Sequence, residues 1–480
     1  MRTAGTAAAA GLLVAASLPP WGWWPLGIAG AAVLVATLGG HGWQRRALLG
    51  GVFGVAQFIV GLWWMREFTV PGYILCSLLE ASFFAAAAAV VHPRRLWTFP
   101  AALVLAETAR GHWPLGGLPL GGAALGQVGG PLAPAARLGG ELLIVGLVAA
   151  AGVAVVLLAR RHWRAAAVAV GVIVAAALGG VSAPSGDANG TMRVVAVQGG
   201  GVRGYRAVER DPADAFDAQD RATARVRPPL DVLLWPEDVV DVTRLDGSAE
   251  AVRLSATARG LGATVVAGVV EDDGATQFRN AVVAWAPSGA IVARYDKVHR
   301  VPFGEYIPAR GLVRHFGDIS AVPRDARPGH GPGILRTPAG RLGVMVSYEV
   351  FFADRARSAT RAHGRVLLVP TNASSFRTSQ VPGQELAAAR LRAIETGRTT
   401  VQAAPTGYTA VVSHAGDVVL RSGLGRQAIV RSTVVLRRGS TPATRLGPWP
   451  VALLALVLLG TARLERLTSK IPVASGLQPG

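Results

Sequence analysis

A multi-pass α-helical membrane bundle of about eight spans, carrying one outward-facing α/β domain, is the architecture this sequence predicts. Three observations carry that expectation. Hydrophobic residues make up 51% of the 480 and charged residues only 16%, with a mean hydropathy of +0.38, too apolar for an ordinary soluble chain. The apolar residues are unevenly placed: 1–183 and 447–462 hold long apolar runs, whereas 190–445 has a normal globular composition. Basic clusters recur in alternate loops between the apolar runs, as topology signals do.

The candidate spans are 5–19, 23–39, 47–67, 72–92, 97–110, 137–158, 164–181 and 448–463. Several fall short of the ~20 residues that cross a bilayer comfortably. The fifth is the weakest, because it contains Glu107 and Arg110. Arg2 ahead of the first run would suit a signal peptide, but no A-x-A-like site follows, so the segment is expected to be retained. Arg45-Arg46, Arg94-Arg95, Arg160-Arg161 with Arg164, and Arg463 with Arg466 and Lys470 follow spans two, four, six and eight. With the N-terminus inside, all four clusters are cytoplasmic, and the domain between spans seven and eight faces outward. Trp21, Trp23, Trp24, Trp63, Trp64, Trp97 and Trp113 sit near span ends, and Gly50-x-x-x-Gly54 offers close helix contact. The expected division is 1–183 membrane bundle, 190–445 outer domain, 447–463 final span and 464–480 cytoplasmic tail. The Gly- and Pro-rich segment 111–136 either lines a lipid entrance at the interface or is an irregular loop.

A net charge of +19 could suggest nucleic acid, but the arginines are scattered and no aromatic-interleaved basic stretch is present. Beside apolar runs they suit anionic headgroups instead. The lone Cys76 excludes an intramolecular disulfide and a cysteine-built metal site, and the nine histidines show no ligand spacing. No cofactor and no metal are expected.

In the outer domain, strands are expected at 192–198, 231–235, 264–270, 280–286, 290–296, 342–348 and 366–370, with helices at 213–223, 253–262, 353–362 and 384–396. Apolar strands separated by helices argue for α/β layers. Three strand ends carry chemistry. Glu237 follows Trp235-Pro236. Lys297 is one of only two lysines in the chain, with Glu305 eight residues on. An ammonium is a compact point charge whose pKa moves on burial, so a lone lysine among arginines reads as a chemical group. Ser347 follows the apolar run 342–346, at a strand-to-helix corner where nucleophiles are exposed. A base, a cation and a nucleophile-position residue together suit acyl transfer. Each has a plainer alternative: a helix-end acid, a salt bridge and a capping serine.

The segments WPE at 235–237, YDK-x-H-x-VPFGEY-x-P at 295–308 and SYE at 347–349 resemble the carbon-nitrogen hydrolase (nitrilase) superfamily. With eight spans around the domain, the chain resembles the apolipoprotein N-acyltransferase family. The resemblance implies an extracytoplasmic, nitrilase-like α-β-β-α sandwich on a membrane bundle in the cell membrane. It implies acyl transfer from a phospholipid donor to the N-terminal α-amine of a diacylglyceryl-cysteine lipoprotein, through an acyl-enzyme. Carried over by position, Glu237 is the general base, Lys297 the intermediate stabiliser and Ser347 the nucleophile. Trp235, Asn280, Glu305, Tyr348 and Glu349 form the supporting pocket. The family nucleophile is cysteine, so Ser347 is a departure, as is Thr371-Asn372-Ala373-Ser374-Ser375-Phe376 where the family has Asn-Asp-Ala-Trp-Phe. A hydroxyl is the poorer nucleophile and its ester the slower acyl donor. Three functions stay open: a serine-based N-acyltransferase, a catalytically weak or inactive membrane scaffold of the same fold, and an extracytoplasmic amidase or esterase.

Overall fold

The computed structural model describes residues 2–204, 211–315 and 319–468. Lys470 and the tail from 469 onward, expected on the cytoplasmic side, lie outside the described residues. Every apolar run expected as a span is a helix: Arg2–Ser17, Trp24–Leu38, Trp43–Gly61, Val70–Val90, Thr98–Arg110, Ala136–Ala159, Trp163–Ser182 and Trp449–Thr468. Among the described residues three stretches are long and apolar enough to cross a membrane: Val70–Val90, Ala133–Ala159 and Trp163–Ser182. Trp24–Leu38 and Trp449–Arg463 are shorter apolar helices.

Close packing in the bundle follows from small residues. A Cβ on Gly50 would lie 2.4 Å from the Phe84 carbonyl oxygen, and one on Gly54 2.7 Å from Ala81 Cα. The two glycines therefore let Trp43–Gly61 lie directly against Val70–Val90, the contact their spacing suggests. The charges in the fifth run are paired inward: Arg110 Nε is 2.5 Å from Glu80 and Nη1 is 2.6 Å from Glu107. A buried guanidinium with two carboxylates satisfies groups that an apolar surround would otherwise penalise. Arg46 is buried too, and donates to the carbonyls of Ala88 and Ala89 at the end of Val70–Val90. It works there as a helix cap.

Segment 111–136 is a packed layer. It contains two short 3₁₀ turns, Ala123–Gln127 and Ala133–Ala135, and buries Leu118, Leu120, Leu125 and Gln127. Gln57 Nε2 donates to the Gly121 carbonyl, and Gln127 Nε2 to that of Trp24.

The polar half is two facing sheets. In the first, Asp187–Gln198 pairs antiparallel with Ala428–Arg438 and parallel with Val232–Leu234. Thr264–Asp273 continues it in parallel, then Gln277–Trp285 and Ile291–Asp296 antiparallel. In the second, Gly340–Val344, Leu367–Pro370 and Thr400–Ala403 run parallel, flanked antiparallel by Ile334–Thr337 and by Ala410–Val412 with Val418–Arg421. Alternation along each strand decides which core its side chains join. Val194, Leu234, Val266 and Val282 meet Val344, Leu368 and Val401 between the sheets. Leu233, Trp235, Val265 and Trp285 face the other way, against Phe216 and Leu254 of helices Pro212–Thr223 and Ala249–Leu261. Leu367 and Val369 of the second sheet join helices Ala353–Arg361 and Gln380–Thr396 in one apolar core with the bundle. The result is an α-β-β-α sandwich whose second helical layer is shared with the helical base. Fully burying a Leu, Val or Phe stabilises by roughly 1.5–3 kcal/mol, so this shared core ties the two halves together.

The strands Ile334–Thr337, Thr400–Ala403, Ala410–Val412, Val418–Arg421 and Ala428–Arg438 add to those expected, and the strand end that carries Ser347 differs from expectation. The run 342–348 ends as a strand at Val344, and Ser347–Phe351 is a 3₁₀ turn. Ser347 has φ of 47°, a left-handed conformation that no strand tolerates.

Candidate active site

Two pairs of neighbouring strands deliver the polar groups. In the first sheet, antiparallel Gln277–Trp285 and Ile291–Asp296 set the Lys297 amide 2.8 Å from the Asn280 carbonyl. Gly268 lies under the turn that carries Glu237: its amide donates to the Pro236 carbonyl at 3.0 Å. A Cβ on Gly268 would stand 2.5 Å from both the Glu237 Cα and the Pro236 oxygen. Gly268→Ala is expected to displace Glu237, at about 1–3 kcal/mol of overpacking and a turnover loss of ~10²-fold. Thermal unfolding and acyl transfer measured together check this; an active, equally stable variant overturns it.

The result is a buried four-residue network. Lys297 Nζ is 2.8 Å from Glu237 Oε1 and 2.6 Å from Glu305 Oε1. Asn280 Nδ2 donates to the same two oxygens at 2.9 and 3.0 Å. The Val301 amide holds the other Glu305 oxygen at 2.8 Å. Lys297 is only 2% exposed. Burial alone would push its pKa down, but Glu237 and Glu305 outweigh that and raise it, so the ammonium is kept. Burial raises the Glu237 carboxyl against the pull of Lys297. Asp238 is raised further, by burial and the neighbouring Glu237, and accepts from Asn372 Nδ2 at 3.3 Å.

The second sheet supplies the corner. Parallel Gly340–Val344 and Leu367–Pro370 end side by side, so the chain segments beyond them emerge together. Ser347 and Thr371 become neighbours, with their hydroxyl oxygens 3.3 Å apart. A left-handed non-glycine residue costs of order 1–3 kcal/mol and persists only where its surroundings enforce it. Glu349 is the enforcing group. It accepts from the amides of Val346 (2.9 Å), Val298 (2.7 Å) and His299 (3.2 Å), and from Tyr295 Oη (2.9 Å). One carboxylate thereby clamps the Ser347 corner to the loop that follows Lys297.

The predicted site residues therefore separate. Glu237, Lys297, Asn280 and Glu305 share one network, and Glu349 braces the corner that holds Ser347. Trp235 is not in this pocket. Its ring is buried on the opposite face of the first sheet, edge-on to Phe216, with Nε1 donating to Thr223 at 2.9 Å. Alternation sends Trp235, like Leu233, to the outer face; Glu237, two residues on, lies past the end of the strand Val232–Leu234, in the turn after Pro236. Tyr348 points toward the helical base, where its hydroxyl lies 3.3 Å from the Gly117 carbonyl. Thr371 and Glu385 went unrecognised in the sequence, as did Gly268. Thr371 opens the Thr-Asn-Ala-Ser-Ser-Phe departure, which was the available signal; Glu385 sits in a helix with no motif around it. That departing segment docks on the base through Phe376, 5.0 Å from Trp64 and 5.1 Å from Phe68, both edge-on. A cavity of about 230 Å³ lies between base and domain, lined by residues including Glu107, Glu141, His299, Phe352, Asp354 and Glu395; Glu237, Asn280, Lys297, Glu305 and Ser347 do not line it.

Fold and site define the class: a carbon-nitrogen hydrolase domain seated on a base of apolar helices. Residues 210–439 match the carbon-nitrogen hydrolase family, and residues 10–154 match the apolipoprotein N-acyltransferase N-terminal domain. A relative named apolipoprotein N-acyltransferase, in Pseudomonas aeruginosa, is 29% identical over 96% of this chain and 95% of its own length. One in Mycolicibacterium smegmatis is 32% identical over 52% of this chain, a match spanning only 42% of that relative. The match to a third, in Geobacter metallireducens, spans 43% of that relative at 32% identity. Among solved structures, a nitrilase-superfamily amidase from Nesterenkonia AN1 is 24% identical, covers 53% of this chain and 93% of its own, and has a TM-score of 0.40.

Proposed function

We propose that this protein transfers an acyl chain from a phospholipid to the N-terminal α-amine of diacylglyceryl-cysteine lipoproteins, by way of an acyl-enzyme on Ser347. The observation that carries this reading is the buried Lys297 ammonium, held between Glu237 and Glu305 in a domain that also presents Ser347 at a constrained corner. In the first half-reaction Ser347 Oγ attacks the ester carbonyl, an Oγ–acyl bond forms, and the lysophospholipid alcohol departs. Lys297 stabilises the oxyanion, with its charge fixed by two carboxylates so that no reorganisation is needed. In the second, the lipoprotein amine attacks the acyl-serine, Glu237 takes the amine proton as general base, and the serine hydroxyl is restored. Asn280 and Glu305 hold Glu237 and Lys297 in register.

The reading places eight spans in the cell membrane with the domain extracytoplasmic, so that it meets both lipid donor and exported acceptor. Supporting it, Trp163–Ser182 exposes Val168, Val172, Leu178 and Val181, and Trp449–Thr468 exposes Leu453, Leu454, Leu456 and Val457. Apolar faces of that kind suit lipid rather than water. Trp21, Trp23, Trp63, Trp97 and Trp113 are exposed as interfacial anchors are. Reporter fusions near residue 200 are expected to read as extracytoplasmic, and fusions near 95 and 162 as cytoplasmic. A cytoplasmic signal at 200 would put the domain and its acceptor on opposite sides and end this reading.

Mass spectrometry of lipoprotein N-termini, with and without this chain, tests the activity directly. A third acyl chain on the terminal cysteine is expected only when the chain is present. Its absence in both cases favours the scaffold alternative. Turnover of simple esters or amides without lipoprotein acylation favours the hydrolase alternative.

A further inference from the structure

A second buried carboxylate stands at the nucleophile. Glu385, from helix Gln380–Thr396, is 3% exposed. Its Oε1 lies 2.7 Å from Thr371 Oγ1, and Thr371 Oγ1 lies 3.3 Å from Ser347 Oγ. Its Oε2 is buried with no hydrogen-bond partner among the described residues. Thr371 has a single hydroxyl proton. With Glu385 ionised, that proton belongs on the shorter contact to the carboxylate, which leaves Thr371 Oγ1 free to accept from Ser347. Glu237, by contrast, is already engaged at Oε1 by both Lys297 and Asn280.

We propose that Glu385 is the proton acceptor for Ser347, reached through the Thr371 hydroxyl, and that this relay is what lets a serine serve at this corner. The inference rests on the acyl-enzyme reading above and divides the base work: Glu385 serves Ser347, and Glu237 serves the incoming amine. As Ser347 Oγ bonds the acyl carbon, its proton passes to Thr371 Oγ1 and the Thr371 proton to Glu385. When the acyl–oxygen bond to the lysophospholipid breaks, the same path returns one proton to the departing alkoxide. Glu385 ends ionised and Thr371 unchanged. A thiol depends on such help far less, because its ordinary pKa of about 8.5 lies well below that of a hydroxyl, whereas a hydroxyl needs a base in contact at the moment of attack. Burial raises the Glu385 carboxyl to about 7, against the hydrogen bond from Thr371; among charged groups, Glu237 raises it and Lys297 lowers it. A carboxyl raised in this way is a stronger base than a free carboxylate and is better matched to taking the proton near neutral pH.

The test uses the full chain in detergent and a fluorophosphonate, which forms an Oγ–phosphorus bond and releases fluoride without any lipid or lipoprotein. Parent Ser347 is expected to label at a rate that rises with pH through about 7. Glu385→Gln is expected to slow labelling by ~10²–10⁴-fold and to flatten that rise, and Thr371→Val to do the same. In the Ser347→Cys background, iodoacetamide alkylation replaces the phosphonate, and Glu385→Gln is expected to change its rate less than about threefold, because the thiolate forms without the relay. Equal losses in both backgrounds would make Glu385 merely structural and overturn the relay. So would unchanged labelling in Glu385→Gln, or a parent Ser347 that never labels. Relay-dependent labelling without lipoprotein acylation would leave the relay standing and remove the acyltransferase reading.

Discussion

Ser347→Ala is expected to eliminate acyl transfer, with a loss on the scale of ~10⁶-fold, that of deleting a nucleophilic serine from a hydrolase. The substitution removes one hydroxyl from a residue at φ 47°. Alanine meets the same left-handed strain as serine, so the corner and its Glu349 clamp are kept and the domain should stay folded. Thermal unfolding and intact-mass detection of the acyl-enzyme separate these effects. Ser347→Cys is the informative partner. A thiolate attacks more readily and its thioester yields faster to an amine, so transfer should hold or rise. An inert parent restored by cysteine would mean an intact site with a lost nucleophile. An inert parent and an inert cysteine variant would leave a folded scaffold and sink the acyl-enzyme reading.

Lys297→Arg should lower transfer by ~10²–10³-fold, the usual scale for losing one oxyanion stabiliser, although the positive charge is retained. The ammonium touches Glu237 and Glu305 at 2.8 and 2.6 Å while Asn280 Nδ2 reaches the same two oxygens. A planar guanidinium cannot take that place without displacing Asn280 or one carboxylate. The ion pairs can re-form around arginine, so the damage should appear mainly in turnover. Lys297→Met should do more harm, since it leaves two buried carboxylates facing each other, and removing one partner of a buried pair costs ~3–5 kcal/mol. Chemical denaturation of both variants beside the acyl-transfer assay checks the distinction. Arginine within a few-fold of the parent would reduce Lys297 to a structural cation.

Much of this was legible along the chain. The apolar runs mark where helices form, because length and hydropathy are local properties. The strand-and-helix alternation marks the α/β half, and the motifs around Glu237, Lys297 and Ser347 mark the strand ends that carry chemistry. Lysine scarcity singles out Lys297, which is among the most deeply buried large side chains. Other features were not legible. Trp235 adjoins the motif of Glu237 yet belongs to a different core, because which face of a strand turns inward depends on what packs there. Tyr348 sits beside Ser347 in sequence but spends its hydroxyl on Gly117 of the base. The segment 111–136 has no periodicity, and only its helical neighbours make it a packed layer.

The sequence by itself determined the helical base and the α/β composition of the domain, and it singled out Glu237, Lys297 and Ser347 as candidates. Each of those rests on a local pattern of a few to about twenty residues. The tertiary structure alone decided that Glu305 and Asn280 close around Lys297, that Glu349 braces the Ser347 corner, and that Thr371 and Glu385 stand behind the serine. Ser347, Thr371 and Glu385 come from a strand end, a neighbouring parallel strand end and the helix covering them. Contacts between separate elements depend on strand order and on which helix covers which sheet, and no local pattern encodes either.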